Sequence, residues 1–325
     1  MNHTVNAQQI VNLCTLFDSN FILKGLALIS SVERHSSFSI KWTVLALDSF
    51  TERYLENLSH PNIEIVNLQT INDYELLALV GKRPWREICW TSAACLLNYV
   101  KNKSDEERII AYVDADCFFY NDIFEVFDPL KIKGSIGIHE HRFSSDRASF
   151  LETSGRFNVG LVCGIVGGNF NDCIERWRNQ VLEDCSVNPT LGKCGDQTYL
   201  NEWPHLYEHV VILDDKGVGG GPWNMNNYKI SKISNNIYFD EVPLKFFHFH
   251  GLNIAFLNKL FAVYIPASGY KYKRSQVNYL YKQYIRNLQK LITEHPELPI
   301  PKVVKGLKWW GTNIVKFRFF FKINL

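Results

Sequence analysis

The stretch Ile109-Ile-Ala-Tyr-Val-Asp-Ala-Asp-Cys-Phe-Phe-Tyr120 decides how the chain is read. Five apolar residues in a row, rich in β-branched types, predict a strand buried on both faces. Asp114 and Asp116 follow at once, and on a strand residues two apart point the same way. Two carboxylates against an apolar wall repel each other and lose solvation, so a positive charge should sit between them. A hard divalent cation such as Mn²⁺ or Mg²⁺, bridging to a diphosphate, supplies it with oxygen ligands throughout. The competing reading is a solvated strand end with two capping aspartates, and the rest of the chain weighs between the two.

Outward from that stretch, strands and helices alternate. Residues 10–17 predict a first strand ending at Asp18, and Ile22, Leu26, Ile29 and Val32 then give a helical stripe. Strands at 42–47 and 63–66, with a helix at 51–58 between them, continue the pattern. A helix over 85–100, strands at 134–139 and 160–166, a helix at 173–182 and a last strand at 244–250 complete it. This order predicts a doubly wound, mostly parallel α/β sheet with helices on both faces. Ligands of such sheets lie beyond the strand C-termini, where Asp18 and Asp114 to Asp116 both fall. Gly217 to Trp223, with four glycines and a proline, must be a loop.

A hydrophobic content of 46% supports a large core and excludes disorder. The net charge of +2 hides an asymmetry. Residues 257–325 carry 13 Lys/Arg against Glu294 and Glu297, while the remainder carries 22 basic and 31 acidic residues. Within this basic tail, Val277, Leu280, Tyr281, Tyr284, Leu288, Leu291 and Ile292 line one face of a helix predicted over 274–295. Bases and large aromatics then interleave at 302–310 and 316–322, a pattern suited to an anionic membrane surface or to a C-terminal helix docked on the core with its lysines in water. The acidic body argues against nucleic acid as the partner. The expected division is a catalytic body at 1–265 and a helical, basic-aromatic extension at 266–325. Eight scattered cysteines without a C-x-x-C, a polar N-terminus and no apolar 18-mer predict a cytoplasmic protein held at the inner face of the plasma membrane.

Three further groups carry chemistry. His248 and His250 end the last predicted strand on one face, either as imidazoles that join carboxylates around Mn²⁺ or as paired core histidines bonded to backbone. Asp196 and Gln197 stand at a predicted helix start, as sugar-contacting groups or as a plain cap. His139-Glu-His-Arg142 is a polar cluster that reads equally as a turn or as a site wall.

Taken together, these motifs resemble the GT-A glycosyltransferases, nucleotide-sugar enzymes with a Rossmann-like domain and a D-x-D metal site. In order, they are most similar to the retaining family of glycogenin and the bacterial lipooligosaccharide galactosyltransferases. The segments 86–91, 112–119, 140–142, 195–204 and 247–251 resemble a group of largely uncharacterised bacterial glycosyltransferase-like proteins. The likeness covers residues 10–255. It implies that Asp18, Asn20 and Phe21 hold the uridine, and that Asp114 and Asp116 bind Mn²⁺ or Mg²⁺ with His248, His250 being the other assignment. It implies Gly251 near the diphosphate, Asn158 near the sugar, Asp196 and Gln197 in the catalytic position, and Arg86 or Arg83 as diphosphate partners. Thr198 departs from the family's final acid and Ile254 from its phosphate-gripping lysine. Retention of configuration is what the resemblance implies; a base at Glu140 or Asp196 would instead support inversion. The expected partners are a nucleotide sugar, chiefly a UDP-sugar, and a glycan or lipid-linked acceptor of bacterial surface polysaccharide. A D-x-D phosphatase would want Thr or Val at the fourth position, where Cys117-Phe118 follows. A nucleotidyltransferase would want a Gly-rich basic loop in place of Phe17 to Phe21. A membrane adaptor would need the strands but no metal shell.

Overall fold

The computed structural model describes residues 11–188, 191–257, 260–264, 274–299 and 319–322. Seven strands make the main sheet: β1 (Val11–Phe17), β2 (Ile40–Ala46), β3 (Ile63–Val66), β4 (Ile109–Val113), β6 (Ile136–Glu140), β7 (Phe157–Ile165) and β10 (Val210–Ile212). Their spatial order is β10-β6-β7-β4-β1-β2-β3. Every pairing is parallel except those of β7, which runs against both β4 and β6. That reversal brings the start of β7, with Asn158, to the edge where the other strands end. The helices are α1 (Ile22–His35), α2 (Ser49–Leu58), α3 (Leu68–Ile71), α4 (Tyr74–Leu79), α5 (Trp85–Lys103), α6 (Phe124–Lys133), α7 (Phe150–Ser154), α8 (Gly168–Glu183), α9 (Trp203–Leu206) and α10 (Arg274–Glu294).

Period-2 alternation splits the sheet into two cores. Ile109, Ala111 and Val113 of β4 face one core with α1, α2 and α10. Ile110 and Tyr112 face the other with α5, α8 and α9. The apolar run of β4 is thus buried on both sides, and the sheet carries helices on both faces.

Residues 244–250 are not the last strand. The short aromatic strand β5 (Cys117–Phe119) pairs antiparallel with β14 (Phe246–His248), and β15 (Asn253–Leu257), β16 (Leu260–Tyr264) and β17 (Phe319–Lys322) form a further antiparallel sheet. Two small units, β8 (Val187–Asn188) with β9 (Lys193–Cys194) and β11 (Ile230–Ile233), β12 (Asn236–Phe239) with β13 (Val242–Pro243), complete the strands. β5 is not legible in the sequence, because three residues after a turn carry no periodic signal of their own.

The predicted tail helix forms as α10, and its apolar face packs into the core shared with α1. Tyr284 stacks on Phe249 at 4.0 Å, Tyr281 meets the same ring edge-on, and Tyr120 Oη donates to Leu280 O at 2.7 Å. The 302–310 segment and residues 316–318 of 316–322 lie outside the described residues; Phe319–Lys322 pair with β16. Among the described residues no helix is long and apolar enough to cross a membrane.

Candidate active site

β4 stops at Val113, so the two aspartates lie in a tight turn and not on a strand. Cys117 N donates to Asp114 O, and Asp114 N to Gly160 O. The turn separates the carboxylates: Asp116 is buried and Asp114 half-buried. The β5–β14 register sets His248 opposite Cys117, and Phe249 N donates to Asp116 O at 2.8 Å. His248 Nε2 consequently lies 2.9 Å from Asp116 Oδ1 and 3.7 Å from Asp114 Oδ2. Asp116, His248 and His250 each offer a ligand atom, all within 4.8 Å of one another. Asp114 stands outside this trio, with Tyr112 Oη donating to it at 2.8 Å.

Charge follows position. Burial pushes the Asp116 carboxyl up, but the charges of His248, Lys24 and His250 outweigh it and hold it well below the usual range. Burial likewise opposes charge on His248, yet Asp116 and Asp114 raise its pKa overall. Asp114 is raised, first by burial and then by its like-charged neighbour Asp116.

Asn158 stands behind His248. Its Oδ1 accepts from Gly160 N at 2.9 Å and faces His248 Nδ1 at 3.2 Å, while its Nδ2 donates to His141 Nε2 at 3.1 Å. With Nδ1 donating to Asn158, Nε2 is the nitrogen left toward Asp116, which is how an outer partner fixes a ligand imidazole. A Cβ at Gly160 would come within 2.6 Å of His248 Nδ1, so glycine is required for that ring to sit there.

The glycine-rich loop is an interior segment. Residues 217–225 are all buried, His248 N donates to Gly220 O at 2.7 Å, and Gly219 takes φ +70°. The loop delivers Trp223, whose ring meets His248 at 5.3 Å, His141 at 5.4 Å and His250 at 6.0 Å. Gly251 turns the chain after His250 at φ +71°.

Asp18 closes β1 at the same edge. Its carboxylate accepts from the backbone of Asn20 and Phe21, from Asn20 Nδ2, and from Trp85 Nε1 at 3.2 Å. Asp48 fixes this turn by accepting from Ser19 N and Thr51 N, both at 2.8 Å. Phe21 and Trp85 leave 42% and 43% of their surface exposed, two rings open to a ligand on either side of Asp18. Only Phe21 carried a signal in the sequence; Trp85 reads there as an ordinary helix start.

Asp196 is not a cap. It stands at the head of a 3₁₀ helix (Gln197–Glu202), makes no capping hydrogen bond, and is 6% exposed. Burial, and then the charge of Asp114, raise its carboxyl well above the usual range. A strongly perturbed acid facing another carboxylate is a candidate for a functional position. Gln197 Nε2 donates to Ser154 O at 2.8 Å. Arg86 lies over the Trp90 ring at 4.8 Å. Arg83 is spent elsewhere: its guanidinium donates to Val181 O, Leu182 O and Glu183 O, closing the C-terminus of α8. The 139–142 cluster also divides. Glu140 pairs with Arg156, His139 and His141 are buried, and Arg142 donates to Asp215 O at 2.9 Å.

A parallel-dominated sheet whose strand ends gather an acidic-asparagine-aromatic turn, a D-x-D turn and a histidine strand is the GT-A fold. Solved structures agree. The galactosyltransferase LgtC, in complex with donor and acceptor sugar analogs, matches 93% of this chain and 99% of its own at a TM-score of 0.51 and 14% identity. Mouse xyloside xylosyltransferase 1 matches 74% of this chain and 98% of its own at 0.50 and 12%. No protein-family model matches the chain. In sequence, the uncharacterized Bacillus subtilis protein YfnF is 30% identical over 255 residues, 76% of this chain and 83% of YfnF. YfnD of the same bacterium, also uncharacterized, is 28% identical over 286 residues, 86% of this chain and 89% of YfnD. The chain belongs to the family of YfnF.

Proposed function

We propose that the protein is a metal-dependent glycosyltransferase that moves a sugar from a UDP-sugar to a glycan or lipid-linked acceptor of bacterial surface polysaccharide. The carrying observation is the trio Asp116, His248 and His250, its ligand atoms within 4.8 Å at the strand-end edge shared with the Asp18 turn. One carboxylate and two imidazoles fit a divalent ion, and suit Mn²⁺ better than Mg²⁺, which prefers an all-oxygen shell. Such an ion supplies charge neutralisation to a departing diphosphate. Asp116, His248 and His250 would hold it, with Asp114 as a further ligand or as a ribose contact.

The chain's own groups do the rest. Asp18 and Asn20 orient the nucleoside, with Phe21 and Trp85 as the rings beside it. Asp196 contacts the transferred sugar with Gln197 beside it, Gly251 lets the backbone approach the diphosphate, and Arg86 stands as an outer cation. Retention of configuration is the proposed outcome, from the resemblance to the retaining family. The catalytic body is 1–265; within the extension 266–325, α10 braces the body, and the extension touches an anionic surface at the inner face of the plasma membrane.

Calorimetric titration of UDP with and without Mn²⁺, and a screen of UDP-, GDP- and CMP-sugars for donor hydrolysis, test the reading. Asp116→Asn should abolish Mn²⁺-dependent UDP binding and hydrolysis while circular dichroism stays native. UDP binding indifferent to Mn²⁺, or an active Asp116→Asn, would overturn it.

A further inference from the structure

Lys24 is buried where a chain has least reason to bury a lysine. It lies in the first turn of α1, 6% exposed, and among the described residues its side-chain amine makes neither a hydrogen bond nor an ion pair. Its contact is the ring of Phe21, 4.2 Å from Nζ to the centroid. The first turn of α1 holds no acidic residue and no side-chain cap. A helix N-terminus already carries partial positive charge, so the ammonium is opposed by its own helix as well as by burial. Both penalties are avoidable by a single substitution, which makes the residue a candidate for function.

α1 packs closely on two strands: Phe119 N of β5 donates to Ser31 Oγ at 3.0 Å, and a Cβ at Gly25 would meet the Phe17 ring of β1 at 2.3 Å. Ser31 follows Lys24 by seven residues, about two helical turns, and so shares its helix face; it bonds β5, which opens at Cys117 directly after Asp116. Lys24 therefore touches the exposed Phe21 ring and lies on the face of α1 that is turned to β5 and the trio beside it. Asp116 is the counter-charge that opposes the effect of burial on the amine. A divalent cation at the trio would draw on that same carboxylate, leaving an anionic ligand as the remaining compensation for the ammonium.

We infer that Lys24 binds the diphosphate of a nucleoside diphosphate whose base lies against Phe21 and whose phosphates reach the Asp116–His248–His250 trio. The inference rests on the transferase reading above and adds to it the cation that grips the phosphates.

The test is calorimetric titration of UDP and of uridine, in Mn²⁺, into the full chain and its Lys24→Met and Lys24→Gln variants, alongside ligand-free melting curves. Losing a charge-assisted contact should weaken UDP roughly tenfold to a hundredfold, leave uridine unchanged, and leave the ligand-free Tm equal or higher. Three results would overturn the inference. UDP affinity within about twofold of wild type in both variants excludes a phosphate contact. An equal loss for UDP and uridine makes Lys24 a prop for Phe21. A lowered Tm with unchanged UDP affinity makes it a structural counter-ion of Asp116. Wild type that binds no UDP with Mn²⁺ removes the transferase reading itself, whereas binding wild type with equally binding variants removes Lys24 alone.

Discussion

At the scale of residues, the site is set by which side chains are kept neutral and which are kept charged. His139 and His141 stand behind His248 as neutral imidazoles. Burial drives the pKa of His139 well below its ordinary value and that of His141 down to about 3. His141 accepts from Asn158 Nδ2, so its neutrality is part of what orients Asn158 and, through it, His248. A folded-state pKa below the unfolded value means that the unfolded chain takes up protons first as pH falls. Stability is then fully present above about pH 6.5 and declines toward pH 3, by up to ~1.4 kcal/mol per pH unit for each such histidine. His248, whose pKa is raised, acts with the opposite sign, so the share of His141 is read by difference: over urea midpoints at pH 7.5, 6.5 and 5.5, His141→Gln should lose one histidine's share of the slope relative to wild type. An unchanged slope would mean His141 does not titrate with unfolding. Sequence spacing could place His248 beside the aspartates, because H-x-H-G and D-x-D are compact signals. It could not show that Asn158 and His141 stand behind it, since that depends on β7 running against its neighbours.

At the scale of elements, the glycine loop and the β5–β14 pair do what no single motif does. Neither Asp116 nor His248 lies on the main sheet; three paired residues on each side, register His248 to Cys117, bring them together. The loop 217–225 then backs this pair, and at Gly219 it fits tightly against His139. At φ +70° a side chain is strained, and a Cβ would come within 2.2 Å of the His139 ring. Gly219→Ala should lose about 2–4 kcal/mol from strain and overpacking together, measured by urea unfolding. Gly81→Ala is the control, since its φ of +80° is as strained but nothing lies within 4 Å; it should lose only the strain. Equal losses at the two positions would mean that the contact with His139 does not matter. Glycine content alone predicted a loop but not its burial, because a turn on the surface and a backbone threaded through a core share the same composition. Asp196 shows the converse: a helix-start aspartate reads as a cap, and only burial without a capping hydrogen bond separates it from one.

At the scale of the whole molecule, the extension is joined to the site through aromatic packing. The residues alternating with His248 and His250 are Phe247 and Phe249, and Phe249 lies under Tyr284 of α10 at 4.0 Å, with Tyr281 against both phenylalanines. Asn287 Nδ2 donates to Ser30 Oγ of α1 at 3.2 Å, tying the same helix to the element that carries Lys24. The amphipathic stripe of α10 was legible because its period is regular; its partner was not, because a helix face says nothing about which surface covers it. Two truncations separate bracing from surface binding. Removing residues 274–325 strips an aromatic layer from the back of the histidine strand, and each large ring lost costs about 3–5 kcal/mol, enough to unfold a marginally stable domain. Removing residues 302–325 leaves α10 in place; cooperative melting and UDP binding should survive, while sedimentation with anionic vesicles should fall. A folded, UDP-binding 1–273 fragment would refute the brace, and unchanged vesicle binding by 1–301 would refute the membrane role of the tail.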